Sequence, residues 1–288
     1  ASVVYGVYEH YKYTKSEKFL KDNLKMCEKA IDFLKKYLKD WLNIEGTEER
    51  DKDKVQEEIE NSVNRQGHKY HISYDLWEMN EGIHLYSLAS IYSAFDSILN
   101  IYKALGKNVS EFENNRLKEE KIQKNKRTIE NLQTQLKKYI NENLYDEEKK
   151  SYVRNTEDRK MDISILGAIT PFNMFKPKEK KIRNTVERIN MSLRTYTGGY
   201  QRFEQDNYMN GNPWPIANLW MTLYYLETGE KKKAKETFDF VVKTAGKHYL
   251  LGEQVDNSTL KPNWVIGLGW SHAMFIIVLE KLYKNNLK

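Results

Sequence analysis

The sequence predicts an all-α fold in which buried and surface helices alternate. Three observations carry this prediction. Proline is scarce, at 5 in 288 residues, so little interrupts a helix. Long segments repeat their apolar residues at helical spacing. These segments are of two kinds, and the two kinds alternate along the chain. One is apolar almost all round; the other is apolar on one face and charged on the rest. A helix apolar all round is buried, and one-faced helices cover it. Such alternation builds helical hairpins about an axis, in an α/α barrel or an α-solenoid.

In chain order, residues 2–13 are apolar all round and residues 15–42 are one-faced. Residues 46–54 are a charged, polar connector. Residues 81–105 are apolar all round, and residues 109–144, rich in Lys, Glu and Asn, are the next surface helix. Residues 146–150 read as a polar turn and 152–154 as a short extended stretch. Residues 162–172 are the third buried helix and 179–193 the third surface helix. Gly198, Gly199 and Gly211 mark turns. Residues 213–227 form the fourth buried helix, with Pro213 at its first position. Residues 231–248 are one-faced and 263–283 are buried again. The sum is five inner and four outer helices, starting and ending on an inner one. A closed ring of six hairpins needs twelve. If the hairpins form such a barrel, it has about nine helices here, lacks its first three and is open beside the first helix.

Composition excludes several functions. The net charge is +6, from 47 basic and 41 acidic residues mixed throughout, without a basic stripe interleaved with aromatics. This is a solvated surface rather than a nucleic-acid face. No run reaches the ~18 apolar residues of a membrane span. Cys27 is the lone cysteine, so no internal disulfide is expected. His84, His248 and His272 lack metal-ligand spacing, and there is no Gly-rich phosphate loop, so neither a metal nor a cofactor is expected.

Chemistry is expected where outer helices lead into inner ones. Trp77 and Glu78 precede the second inner helix, residues 199–214 the fourth, and Glu253 and Gln254 the fifth. In a ring of antiparallel hairpins all such connections share one rim. Two carboxylates facing one cleft are the minimal equipment for glycosidic cleavage: one donates a proton to the leaving oxygen, and the other activates water or attacks the sugar carbon. Each group also has a structural alternative. Glu78 can serve as a helix N-terminal charge, Glu253 as a loop carboxylate, Asp162 as a helix cap. Arg202 can pair with Glu204 or Asp206, and Trp214, Trp264 and Trp270 can be core residues.

Together these segments resemble glycoside hydrolase family 15, the glucoamylases and their relatives. The resemblance rests on YDLWE at 74–78, GGYQRFEQDNYMNGNPWPIANLW at 198–220, and GEQVD at 252–256 followed by WVIGLGWSHA at 264–273. ENLYDEEKKSYVRN at 142–155 and DISILGAITPF at 162–172 add to it, and the similarity runs over nearly the whole chain. It implies a single catalytic (α/α)6 barrel over residues 1–288, without its first helices and without the β-sandwich domain that usually precedes it. It implies inverting release of β-D-glucose from the non-reducing ends of α-glucans; trehalose and isomalto-linkages are alternative substrates, and an inactive sugar-binding fragment or helical scaffold is an alternative role. Glu78 is implied as general acid and Glu253 as general base. Asp75, Trp77, Arg202, Asn210, Trp214 and Trp270 are implied as the substrate pocket. Trp77 is expected to desolvate Glu78. Met79 stands where many members carry a second acid.

Overall fold

The computed structural model describes residues 1–42, 73–106 and 115–285. The predicted connector at 46–54 and the start of the segment at 109–144 lie outside them. Eight α-helices, two 3-10 helices and three two-stranded hairpins are found among the described residues. The all-helical class predicted from the sequence holds, with strands a minor part. The chain divides into two compact units, Ala1–Asn143 and Leu144–Lys288.

The first unit holds α1 (Ser2–Thr14), α2 (Glu17–Leu42), the hairpin β1 (Ser73–Tyr74) and β2 (Glu81–Gly82), α3 (Leu85–Gly106) and α4 (Asn115–Asn143). α1 ends on Lys15, whose left-handed φ of 56° turns the chain back. The Ser16 hydroxyl then accepts from the Phe19 amide at 3.2 Å and caps α2. α2 buries Leu20, Cys27, Ile31, Leu34 and Leu38, one stripe at helical spacing. α3 is the centre of the unit: twelve of its residues are buried, and α1, α2 and α4 all pack on it. α1 departs from expectation. It buries only Val4 and Val7 and leaves Val3 and Tyr13 exposed. The helix predicted from residue 81 starts at Leu85, because residues 81–82 pair with 73–74.

The second unit opens with the hairpin β3 (Tyr145–Asp146) and β4 (Ser151–Tyr152), as the turn at 146–150 predicts. Then follow a 3-10 helix (Ile163–Ala168), α5 (Lys180–Leu193), a 3-10 turn (Tyr208–Asn210), α6 (Pro215–Thr228), α7 (Lys231–Lys243), the hairpin β5 (Gly252–Val255) and β6 (Pro262–Ile266), and α8 (Gly269–Lys284). α6 is the core: every residue from 215 to 225 is buried, and α7, α8, β5 and the first 3-10 helix pack against it.

Four expectations are corrected here. The helix predicted over 162–172 is a six-residue 3-10 helix. Asp162 caps it, its carboxylate accepting from the Ser164 amide at 2.7 Å, which is the structural alternative for that residue. Pro171 has no amide to extend it. α6 starts at Pro215, not Pro213; the carbonyl of Pro213 instead accepts from Val255 at 2.9 Å. α7 stops at Lys243, where the Thr244 hydroxyl bonds back to the Phe240 carbonyl at 2.8 Å. The predicted helix 263–283 begins only at Gly269, because Pro262–Ile266 form the strand β6, in which Pro262, Asn263 and Ile266 pair with β5.

Candidate active site

The predicted site residues fall in two groups, one in each unit. In the first unit the turn from Asp75 to Asn80 joins β1 to β2. Asp75 organises it. Its Oδ1 accepts from the amides of Trp77 and Met79, each at 3.0 Å, and its Oδ2 accepts from the Asn80 side chain at 2.6 Å. The Glu78 amide donates to the Asp75 carbonyl at 3.1 Å. An aspartate bonding to amides two and four residues on is a turn device. Asp75 was expected to hold sugar; its carboxylate is engaged within its own turn. This leaves Glu78 at the tip, exposed, with a φ of +56°. A left-handed non-glycine residue is uncommon and costs free energy, so it recurs where function requires it. Trp77 is buried while Glu78 is exposed, so the expected burial of Glu78 by Trp77 is not found. A lone tryptophan next in sequence does not fix on which side of the backbone it packs.

In the second unit Glu253 lies on β5, at a bulge. Gly252 pairs with Ile266 and Gln254 with Asn263, so Glu253 faces two residues, Trp264 and Val265. Trp264 accommodates the bulge with a φ of +63° and is exposed. Gly252 is required: a Cβ there would stand 2.6 Å from the Gln254 carbonyl oxygen. The strand is held from three sides. Val255 donates to Pro213, the Ser271 hydroxyl donates to the Gly252 carbonyl at 3.2 Å, and the Leu251 amide donates to His272 Nε2 at 3.0 Å. His272 is thus a strand anchor.

Glu253 itself is half-buried, and its Oε2 is buried without a hydrogen-bond partner. Burial pushes its carboxyl above the ordinary range, and the positive charge of Arg202 draws it part of the way back. Next to it Gln254 is fully buried; its Oε1 accepts from Asn212 at 3.2 Å, while its Nε2 has no partner.

Arg202 is buried, and the structural alternative for it is realised in buried form. Its Nε and Nη2 each donate to Asp206 at 2.8 Å. Its guanidinium lies 4.6 Å from the Trp214 ring centre, 5.0 Å from Tyr208 and 5.1 Å from Phe203. Three aromatic faces and a bidentate carboxylate fix its plane. Trp214 is therefore brought to Arg202. Asn210 is exposed on the Tyr208–Asn210 turn, and Trp270 sits edge-on to Trp220 at 6.0 Å, in the packing of α8 on α6. Sequence reasoning did not single out Phe203, Tyr208 or Asn212 individually. Their only signal was their place in the aromatic, polar run at 199–214.

The described residues contain no group of three or more His, Cys, Asp or Glu placed to hold a metal ion. No described helix is long and apolar enough to cross a membrane. A half-buried carboxylate beside a fixed guanidinium, and a second carboxylate on a stapled turn, are groups that can move protons and hold hydroxyls.

Comparison with known proteins fits this chemistry. An uncharacterized glycosyl hydrolase of Methanocaldococcus jannaschii is 30% identical over 226 residues, covering 74% of this chain and 34% of the relative. Trehalase 1 of Sulfolobus acidocaldarius is 26% identical over 134 residues, covering 46% of this chain and 24% of the relative. The chain thus spans about a third of one relative and a quarter of the other. Among solved structures, a wild-type glycosidase matches with a TM-score of 0.60 at 16% identity, over 80% of this chain and 59% of that one. Glucoamylase from Saccharomycopsis fibuligera matches with a TM-score of 0.59 at 12% identity, over 82% and 62%. A bacterial glucoamylase complexed with acarbose gives 0.55 at 18%, over 74% and 37%. The fold is that of the glucoamylase-like (α/α)6 barrels. The profile of glycosyl hydrolases family 15 matches residues 29–250, and the chain belongs to that family.

Proposed function

We propose that this chain is the catalytic part of an inverting, exo-acting glucohydrolase that releases β-D-glucose from the non-reducing ends of α-glucans. Glu78 is the general acid and Glu253 the general base. The observation that carries the reading is Glu253: a half-buried carboxylate with one oxygen unpartnered, on a bulged strand beside Arg202. An unpartnered acceptor is what a base needs to take a proton from water. Inversion requires a water between the base and the sugar, and the unpartnered oxygen of Glu253 is the acceptor for that water's proton.

Arg202, held flat between Asp206 and its aromatic neighbours, is the cation of the pocket that meets sugar hydroxyls. Trp214 and Trp77 give apolar faces for the sugar ring. Asn210 and Trp270 remain candidate pocket residues, and Asp75 acts by holding the turn that carries Glu78. Residues 1–288 act as a single catalytic domain in this reading, and they match 59–62% of the length of the solved glycosidase and glucoamylase chains. Trehalose is the second substrate reading, favoured by the similarity to a trehalase.

Glucose release from maltose, maltooligosaccharides, isomaltose and trehalose tests the proposal. α-1,4-linked substrates should be cleaved fastest, by a protein containing residues 1–288 within a complete barrel. Preference for trehalose would replace the substrate, and no cleavage of any of the four would reject the reading.

A further inference from the structure

The second unit contains a cavity of about 540 Å³ between α5 and α7, lined by none of the candidate active-site residues. Its floor is uncharged and hydrogen-bonding. Asn190 holds the hydroxyls of Tyr200 at 2.5 Å and Tyr225 at 3.0 Å, and Tyr224 stands beside them. All three tyrosines are buried; burial pushes the Tyr200 phenol well up and Tyr224 to about 12, so both keep their protons at neutral pH. Hydroxyls and an amide both donate and accept.

The rim carries charge that cancels. Arg183, Arg194 and Lys233 face Glu187, Glu230 and Glu236. Arg194 pairs with Glu236, and Lys233 with Glu230 at 2.6 Å. Arg183 and Glu187 carry no ion pair among the described residues, and both are exposed at the mouth. Apart from the electrostatic contact of Arg183 with Tyr224, they are one donor fork and one acceptor with no side-chain hydrogen bond among the described residues. An anion would meet the Glu187 carboxylate, and a cation would meet Arg183. A neutral molecule studded with hydroxyls meets a partner at either. The volume lies within the ~300–1,000 Å³ of small-molecule pockets.

We propose that this cavity is a second carbohydrate-binding site that takes a neutral sugar of one or two rings. The inference rests on the family's carbohydrate chemistry, and its test is separable from that of the catalytic reading. Met191 lies at the cavity, Met79 adjoins Glu78, and Met209 adjoins Tyr208. Methyl-labelled methionine in the full chain therefore reports the sites separately by NMR during titration with D-glucose and then maltose. The Met191 methyl should shift saturably. The double substitution Arg183→Ala/Glu187→Ala, at two exposed positions, should weaken that response by about tenfold. Movement of Met191 alone would support the second site even if the catalytic reading failed. Movement of Met79 and Met209 without Met191 would overturn the second site and leave the catalytic reading standing. A Met191 shift unaffected by the double substitution, or tighter binding of glucose 6-phosphate than of glucose, would also overturn it.

Discussion

Arg202 and Asp206 form a bidentate, buried ion pair, with both nitrogen–oxygen distances at 2.8 Å. The pair fixes the guanidinium among the rings of Trp214, Tyr208 and Phe203, and that guanidinium acts electrostatically on Glu253. Asp206→Ala leaves the Arg202 charge buried without its partner. Breaking such a pair costs about 3–5 kcal/mol. Urea unfolding should show a loss of that order; a loss below about 1 kcal/mol would mean that Arg202 finds another anion.

The Asp75 turn predicts opposite effects on stability from two neighbouring substitutions. Asp75→Ala removes the acceptor of two amides and one side-chain donor, at about 1 kcal/mol or more. Glu78→Gly relieves the left-handed backbone at φ +56° and should stabilise by about 1 kcal/mol. It should at the same time lower turnover by about 100- to 10,000-fold, because it also removes the proton donor. Thermal unfolding and glucose release on the same variant check both halves. A Glu78→Gly variant no more stable than the parent would remove the argument from strain.

Gly252→Ala places a methyl 2.6 Å from the Gln254 carbonyl oxygen, at the bulge that sets Glu253. Overpacking of this kind costs about 1–3 kcal/mol. The variant should lose activity beyond what its stability loss explains, because β5 must shift. Unchanged activity at a temperature where it is fully folded would show that the bulge does not position Glu253.

Glu253 also makes stability depend on pH in a stated direction. Burial holds its folded-state pKa above the unfolded value near 4.5. The folded protein therefore holds this proton more tightly than the unfolded chain. The associated stability is fully present below the unfolded pKa and is lost as pH rises through the folded one. Glu253→Gln removes that loss, so its stability relative to the parent should be greater at pH 7 than at pH 4. Urea midpoints at the two values read this, and a reversed order would mean that Arg202 outweighs burial.

Much of this organisation was legible in the sequence. The stripe Leu20, Cys27, Ile31, Leu34 and Leu38, and the stripe Ile182, Val186, Ile189 and Leu193, declare one-faced helices by spacing alone. The unbroken burial of residues 215–225 follows from an apolar run behind Pro215. The strand β6 and the 3-10 helix were not legible, because short apolar runs carry no periodicity long enough to separate strand from helix. In the candidate site, Arg202, Trp214 and the two glutamates lie in motifs that can be read directly. The role of Asp75 was hidden, because its partners are backbone amides, which sequence does not distinguish. The depth of the Arg202–Asp206 pair was hidden too: the sequence offers Glu204 and Asp206 alike as partners, and only folding places the pair among buried rings.

The roles of the two glutamates separate with an activated substrate. Glu78→Gln removes the transferable proton and Glu253→Gln the water-activating charge, each lowering turnover by about 100- to 10,000-fold. An α-glucosyl fluoride has a leaving group that hardly needs protonation. It should rescue Glu78→Gln far more than Glu253→Gln; equal rescue of both would contradict the assignment.

The central claim is a general base acting through water, and the anomer first released tests it most directly. Proton NMR during the first turnovers on maltotriose, before mutarotation, resolves the two anomeric signals. Inversion with Glu253 as base predicts β-D-glucose as the initial product. Initial release of α-D-glucose would mean retention, and Glu253 could then not be the base that activates water.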